Sequence, residues 1–205
     1  MMKLYYSSTS PFVRKVNVLA IETGLDKQIE WVTTNPWLSD DTLTAENPLS
    51  KIPTLVTESG LVIYDSVVIC EYLDSLNTSE KMIPSEGKAR WQVLRLQALA
   101  DGILDAGILR FMERKRDTNM QSNDWDSMQK ASVERSLDVL EHSLPDWAND
   151  DDQHINIGVI SVACALGWLD FRFADENWRV NRPRLTQWFE QFSKRNSMLA
   201  TMPKV

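Results

Sequence analysis

The sequence predicts an α/β amino-terminal half of order β-α-β-α-β-β-α followed by an all-helical carboxyl-terminal half. Three observations lead there. Up to Leu76, strand-length apolar runs alternate with helix-period segments, the pattern of a sheet that must be covered by helices. From Lys81 onward strand signals stop and helical periodicity takes over. The chain of 205 residues is long enough to bury one large core or two modest ones. The expected division is a first domain over 1–79, a linker over 80–86 and a helical domain over 87–205.

The elements follow in order. Leu4 to Tyr6 reads as a short buried strand. Ser10 and Pro11 then fit N-cap and first helical position, because the serine oxygen satisfies an orphan N–H and proline has none to lose. That helix runs to about Glu22, with Gly24 as the residue just past its end. Ile29 to Thr33 alternates as a second strand, and Ser39-Asp40-Asp41 caps a short helix in the segment Asn35 to Glu46. Thr54 to Val56 and Leu61 to Ile63 form a hairpin across the Glu58-Ser59-Gly60 turn. Asp65 and Ser66 open a helix whose Val67, Val68, Ile69, Tyr72, Leu73 and Leu76 make a broad apolar face. This order is the thioredoxin topology, a mixed sheet with helices on both faces.

The second half begins with a long helix, Ala89 to about Lys115, with Trp91, Leu94, Leu96, Leu99, Ile103, Leu104, Ile108 and Phe111 on its apolar side. The basic end Arg114-Lys115-Arg116 suits a helix carboxyl terminus. Asp124 to Trp147 gives another long helix, and Asn149 to Asp152 an acidic connection. Asn156 is a sound N-cap, with Ile155 and Ile160 at the staple positions. The helix from Ser161 to Phe173 is apolar nearly all round and so is expected to be buried. A last helix, Pro183 to about Lys194, carries Leu185, Trp188, Phe189 and Phe192.

Composition narrows the function. A net charge of −7 argues against a nucleic-acid partner, which needs a clustered basic face. No secretory signal opens the chain, and the longest apolar stretch, Ile155 to Leu169, is too short and polar to span a membrane. The expected location is the cytoplasm, with no membrane partner. Cys70 and Cys164 lie inside apolar helical runs and read as small buried hydrophobes, with no cysteine spacing that implies a metal. His142 and His154 lie apart, without companion ligands, and read as structural.

The segment Thr9-Ser10-Pro11-Phe12-Val13-Arg14-Lys15 carries a resemblance. It is similar to the redox motif of glutaredoxins with both cysteines gone. It is closer to serine-type glutathione transferases, and the chain resembles a tau/theta-like bacterial member of that family over essentially its whole length. Ile155 to Ile160 likewise resembles the capping box of the family's buried helix, with Val159 where aspartate is usual. That departure removes the reciprocal side-chain bond and costs about 0.5–2 kcal/mol.

The resemblance implies a site and a reaction. Ile52, before a cis Pro53, pairs its backbone with the cysteinyl part of glutathione; Asp65 and Ser66 receive the γ-glutamyl group; Lys51 meets the glycyl carboxylate. Physics agrees for the γ-glutamyl end, whose carboxylate suits a helix N-terminus and whose ammonium suits Asp65. Ser10 faces the sulfur, with Thr9 the alternative donor because some serine-type classes place the active hydroxyl two residues before the proline. A thiol of pKa about 8.5 is drawn toward its thiolate beside a hydroxyl donor and a helix N-terminus. The acceptor pocket is expected between the domains, lined by Phe12, Asp101, Asp105 and Arg110. The implied activity is conjugation of glutathione, as co-substrate, to hydrophobic electrophiles by a homodimer that needs no metal. Glutathione-dependent disulfide or peroxide reduction, and a non-catalytic glutathione-binding or interaction module, are the alternatives.

Overall fold

The computed structural model describes residues 1–35, 37–38, 41–148 and 155–204. The chain divides into two compact units, one formed by Met1–Ser85 with Arg195–Val205 and the other by Glu86–Lys194.

In the first unit, β1 (Met2–Tyr6) pairs in parallel with β2 (Ile29–Thr33) and antiparallel with β3 (Thr54–Val56), which pairs with β4 (Val62–Ile63). The sheet order is β2-β1-β3-β4. Met2, Leu4 and Tyr5 are all buried although successive side chains point to opposite faces, so this central strand is covered on both sides. α1 (Pro11–Glu22) and α3 (Ser66–Leu76) pack on one another, with Val13, Val16 and Leu19 of the first buried together with Ile69, Cys70 and Leu73 of the third. Gly24, at φ +71, stands just past the end of α1 as expected. α2 (Asp41–Glu46) forms where a short helix was expected; its proposed capping residues Ser39 and Asp40 lie outside the described residues.

The second unit is all helix: α4 (Gly87–Arg114), α5 (Asn123–Trp147), α6 (Ile157–Arg172) and α7 (Pro183–Phe192). Asn156 caps α6 by accepting from Val159 N–H at 3.2 Å, and α6 is buried along nearly its whole length. Gly158 and Gly107 let it approach α4: a Cβ at Gly158 would lie 2.9 Å from the Val93 carbonyl oxygen, and one at Gly107 2.7 Å from the Trp168 ring. Cys70 and Cys164 are both buried thiols in no disulfide. His142 is exposed on α5 with Nδ1 2.6 Å from the Asp138 carbonyl; His154 and the acidic connection Asn149 to Asp152 lie outside the described residues.

The structure corrects the expectations in three places. The helix ending near Lys194 is not the last: α8 (Asn196–Ala200) follows, and the tail from Arg195 joins the first unit rather than the helical one. The cause is a set of long-range bonds. Arg195 and Ser197 both reach the Glu22 carboxylate at the end of α1, while Arg14 donates from Nη2 to the Met198 carbonyl at 3.0 Å and from Nε to Thr201 Oγ1 at 3.3 Å. Trp91 is 68% exposed instead of joining the apolar side of α4. On α3, Val67, Val68 and Leu76 are exposed, so its buried face is narrower than the apolar pattern implies.

Candidate functional site

The site is built from three turns of the first unit. At the head of α1, Ser10 is the N-cap: its Oγ accepts from Val13 N–H at 3.3 Å. Oγ has no other hydrogen-bond partner among the described residues, so its own hydrogen remains to be donated. Thr9 differs. Its hydroxyl lies 3.3 Å from Ser7 Oγ, so one of those two hydrogens is already engaged. The α1 head supplies the unpaired N–H groups and partial positive charge that favour a thiolate.

The second turn runs from Asn47 to Pro53, and its shape comes from Asn47. Asn47 is fully buried; its Nδ2 donates to the Lys51 carbonyl at 3.1 Å and to Thr54 Oγ1 at 2.9 Å, and its Oδ1 accepts from Leu49 N–H at 3.0 Å. Thr54 Oγ1 closes the loop by donating to the Lys51 carbonyl at 2.7 Å. Ser50 takes a left-handed conformation, φ 50, within that frame. The Ile52–Pro53 peptide is cis, as expected, and Ile52 N–H and C=O have no partner among the described residues. Lys51 is exposed.

At the third turn Asp65 caps α3, with Oδ1 accepting from Val67 N–H at 3.0 Å. This leaves Oδ2 without a partner among the described residues. The Tyr64–Asp65 peptide is cis. Ser66, at the first helical position, is 3% exposed, and its hydroxyl has no partner among the described residues. A buried hydroxyl and orphan helix N–H groups beside an exposed carboxylate fit a ligand end bearing both a carboxylate and an ammonium. These groups, with the open main chain of Ile52, fit glutathione.

Of the residues expected to line an acceptor pocket, the three on α4 do not share one face of that helix. Phe12 is half-buried on α1, with Lys15 Nζ 5.7 Å from its ring centre. On α4, Asp101 and Asp105 are four residues apart and share a face, whereas Arg110, nine residues from Asp101, points to about the opposite side of the helix. Arg110 is 2% exposed, bonded through Nε and Nη2 to Asp126 and through Nη1 and Nη2 to Glu176, and lies 4.7 Å from the Phe173 ring. It is a buried structural cation of the helical unit. Glu176 is held at a pKa of about 2: burial raises it, and the hydrogen bonds from Arg110 and Arg114 overcome that.

One cavity was missed altogether. A space of about 320 Å³ runs beside Ser10, walled by Arg14, Asn17, Trp31 and the tail residues Thr201 and Lys204. A signal existed, since Ser10, Arg14, Asn17 and Ile21 recur at helical spacing. The other wall comes from the far end of the chain and had none.

The sequence and structure now define the class. Residues 9–76 match the family described as "Glutathione S-transferase, N-terminal domain" and residues 97–191 its "Glutathione S-transferase, C-terminal domain". This chain belongs to the glutathione S-transferase family. It is 40% identical to the uncharacterized GST-like protein YibF of Escherichia coli strain K12 over 98% of both chains. It is also similar to a crystal structure of a glutathione transferase family member from Pseudomonas fluorescens Pf-5 with bound glutathione, with 42% identity, TM-score 0.95 and full coverage of both chains. A structure from that organism with bound S-(propanoic acid)-glutathione gives 41% identity and TM-score 0.90, again over the whole of both chains. Among the described residues, no helix is long and apolar enough to cross a membrane.

Proposed function

We propose that this protein is a glutathione transferase that joins the glutathione sulfur to the electrophilic carbon of a hydrophobic small molecule. The observation that carries the reading is the uncommitted hydroxyl hydrogen of Ser10 at the head of α1. Asp65 and Ser66 hold the γ-glutamyl ammonium and carboxylate, Ile52 pairs with the cysteinyl main chain and Lys51 meets the glycyl carboxylate. The sulfur then lies against Ser10, whose donated hydrogen bond and the helix N-terminus stabilise the thiolate over the thiol. The thiolate attacks carbon, and the leaving group departs with its electron pair.

A relative's binding of a glutathione thioether supports carbon, rather than sulfur, as the acceptor atom. The exposed apolar side chains Leu61, Val68 and Leu76 of the first unit support a homodimer. The cytoplasm, where glutathione is reduced, is the place for this reaction. The test sets aryl-halide conjugation beside glutathione-dependent disulfide reduction on one preparation, with retention on immobilised glutathione as control. Conjugation is expected to dominate. Reduction without conjugation would make the protein a reductase, and retention with neither would make it a binding module.

A further inference from the structure

The cavity beside Ser10 contains a cation with only neutral partners among the described residues. Arg14 is 7% exposed and lines the cavity. Its Nε and Nη2 are held by Thr201 Oγ1 and the Met198 carbonyl, both neutral acceptors. Nη1 has no hydrogen-bond partner and the guanidinium no carboxylate partner among the described residues. A buried guanidinium without a counter-ion is costly, and the cost is recovered when an anion binds. By contrast Arg110, at 2% exposure, has two carboxylates. Lys204 adds a second positive charge to the cavity wall, while Asp26, the one acidic residue lining it among the described residues, follows α1 at the end remote from Ser10.

The geometry relates this charge to the sulfur position. Arg14 follows Ser10 by four residues, about 6 Å along the helix axis and on the same face. Ser10 and Arg14 line the same cavity, with the guanidinium held there by Thr201 and the Met198 carbonyl. Trp31, with Tyr6 edge-on at 5.6 Å, gives the cavity an aromatic wall.

We infer that this cavity receives the acceptor substrate with a carboxylate on Arg14, so that the preferred electrophiles are aromatic or flat molecules bearing a carboxylate about one ring's width from the attacked carbon. This rests on the transferase reading above and names its substrate class. A fitting acceptor is 4-chloro-3-nitrobenzoate: the thiolate forms a bond to the ring carbon, and chloride leaves with the carbon–chlorine electron pair while the carboxylate stays ionised throughout.

The test compares 4-chloro-3-nitrobenzoate with its neutral methyl ester in kcat/KM. It also measures by calorimetry the binding of the two finished glutathione conjugates, a readout that needs no turnover. Wild type is expected to bind the carboxylate conjugate about tenfold or more tightly than the ester, as a charge-assisted pair at a buried cation provides. In Arg14→Gln the acid-to-ester ratio should fall about tenfold in both measurements, and Arg14→Lys should restore part of it. An equal ratio in wild type and Arg14→Gln, or no preference in wild type, overturns the inference while leaving the transferase intact. Binding of neither conjugate with turnover of neither acceptor overturns both. Because the wild-type ratio is itself decisive, a misfolded variant does not rescue the idea.

Discussion

Removing the Ser10 hydroxyl separates its two roles, because the residue both caps α1 and, in the proposed mechanism, donates to the glutathione sulfur. The cap is a single bond, Val13 N–H to Oγ at 3.3 Å. Alanine at an N-cap costs about 0.5–2 kcal/mol, whereas glycine costs only a few tenths. The bond to a thiolate is charge-assisted and contributes about 1.5–3 kcal/mol, which is about 10- to 100-fold in the ionised fraction below the thiol's own pKa. Ser10→Gly and Ser10→Ala should therefore lose kcat/KM equally in weakly acidic buffer, by about 10- to 100-fold, while only Ser10→Ala loses marked thermal stability. The rate deficit should shrink as pH rises and free thiolate becomes abundant. Thr9→Val should change the rate by less than about threefold, since that hydroxyl is shared with Ser7. The assay is thiolate absorbance of the bound tripeptide across pH, with conjugation rates on the same samples. If the thiolate titration of Ser10→Gly coincides with that of wild type, the hydroxyl is only a cap and the mechanism is refuted.

Three further outcomes are expected. Asp65→Asn keeps a good N-cap for α3 but removes the charge that meets the ammonium, so glutathione should bind about tenfold more weakly with little change in melting temperature; unchanged affinity by calorimetry would count against that assignment. Gly158→Ala forces a methyl to within 2.9 Å of the Val93 carbonyl oxygen and 3.0 Å of Leu96, and should destabilise the protein by about 1–3 kcal/mol in urea unfolding. Glu176 has a folded pKa of about 2, below its ordinary 4.5, so its contribution is fully present above 4.5 and lost as pH falls toward 2. Wild type should accordingly lose more melting temperature than Glu176→Gln between about pH 5 and about pH 3, and parallel curves would show that the ion pairs do not stabilise the fold.

The legible parts of this protein share one property: their signals are local. The cap at Ser10 with Pro11 behind it, the glycine after α1, the Asn156 cap and the all-apolar α6 are each decided by residues within a turn or two of one another. The groups proposed to face glutathione, Ile52, Asp65 and Ser66, were named through a family resemblance, each on a turn whose own chemistry shapes it. Asn47 was not, because a buried asparagine that holds a loop and an asparagine in an ordinary turn look alike until burial is known. Trp91 was misplaced for the same reason, since periodicity assigns an apolar residue to a face without saying whether anything covers it.

By itself the sequence determined the order of elements as far as α7 and the caps of α1 and α6, since capping, periodicity and turn chemistry act over a few bonds. Only the tertiary structure decided that the tail from Arg195 returns to α1, that Arg110 meets two carboxylates and that Arg14 meets none among the described residues. Those outcomes depend on which distant residues share a low-dielectric space, where the same guanidinium is either neutralised or left to seek an anion, and no local pattern encodes that choice.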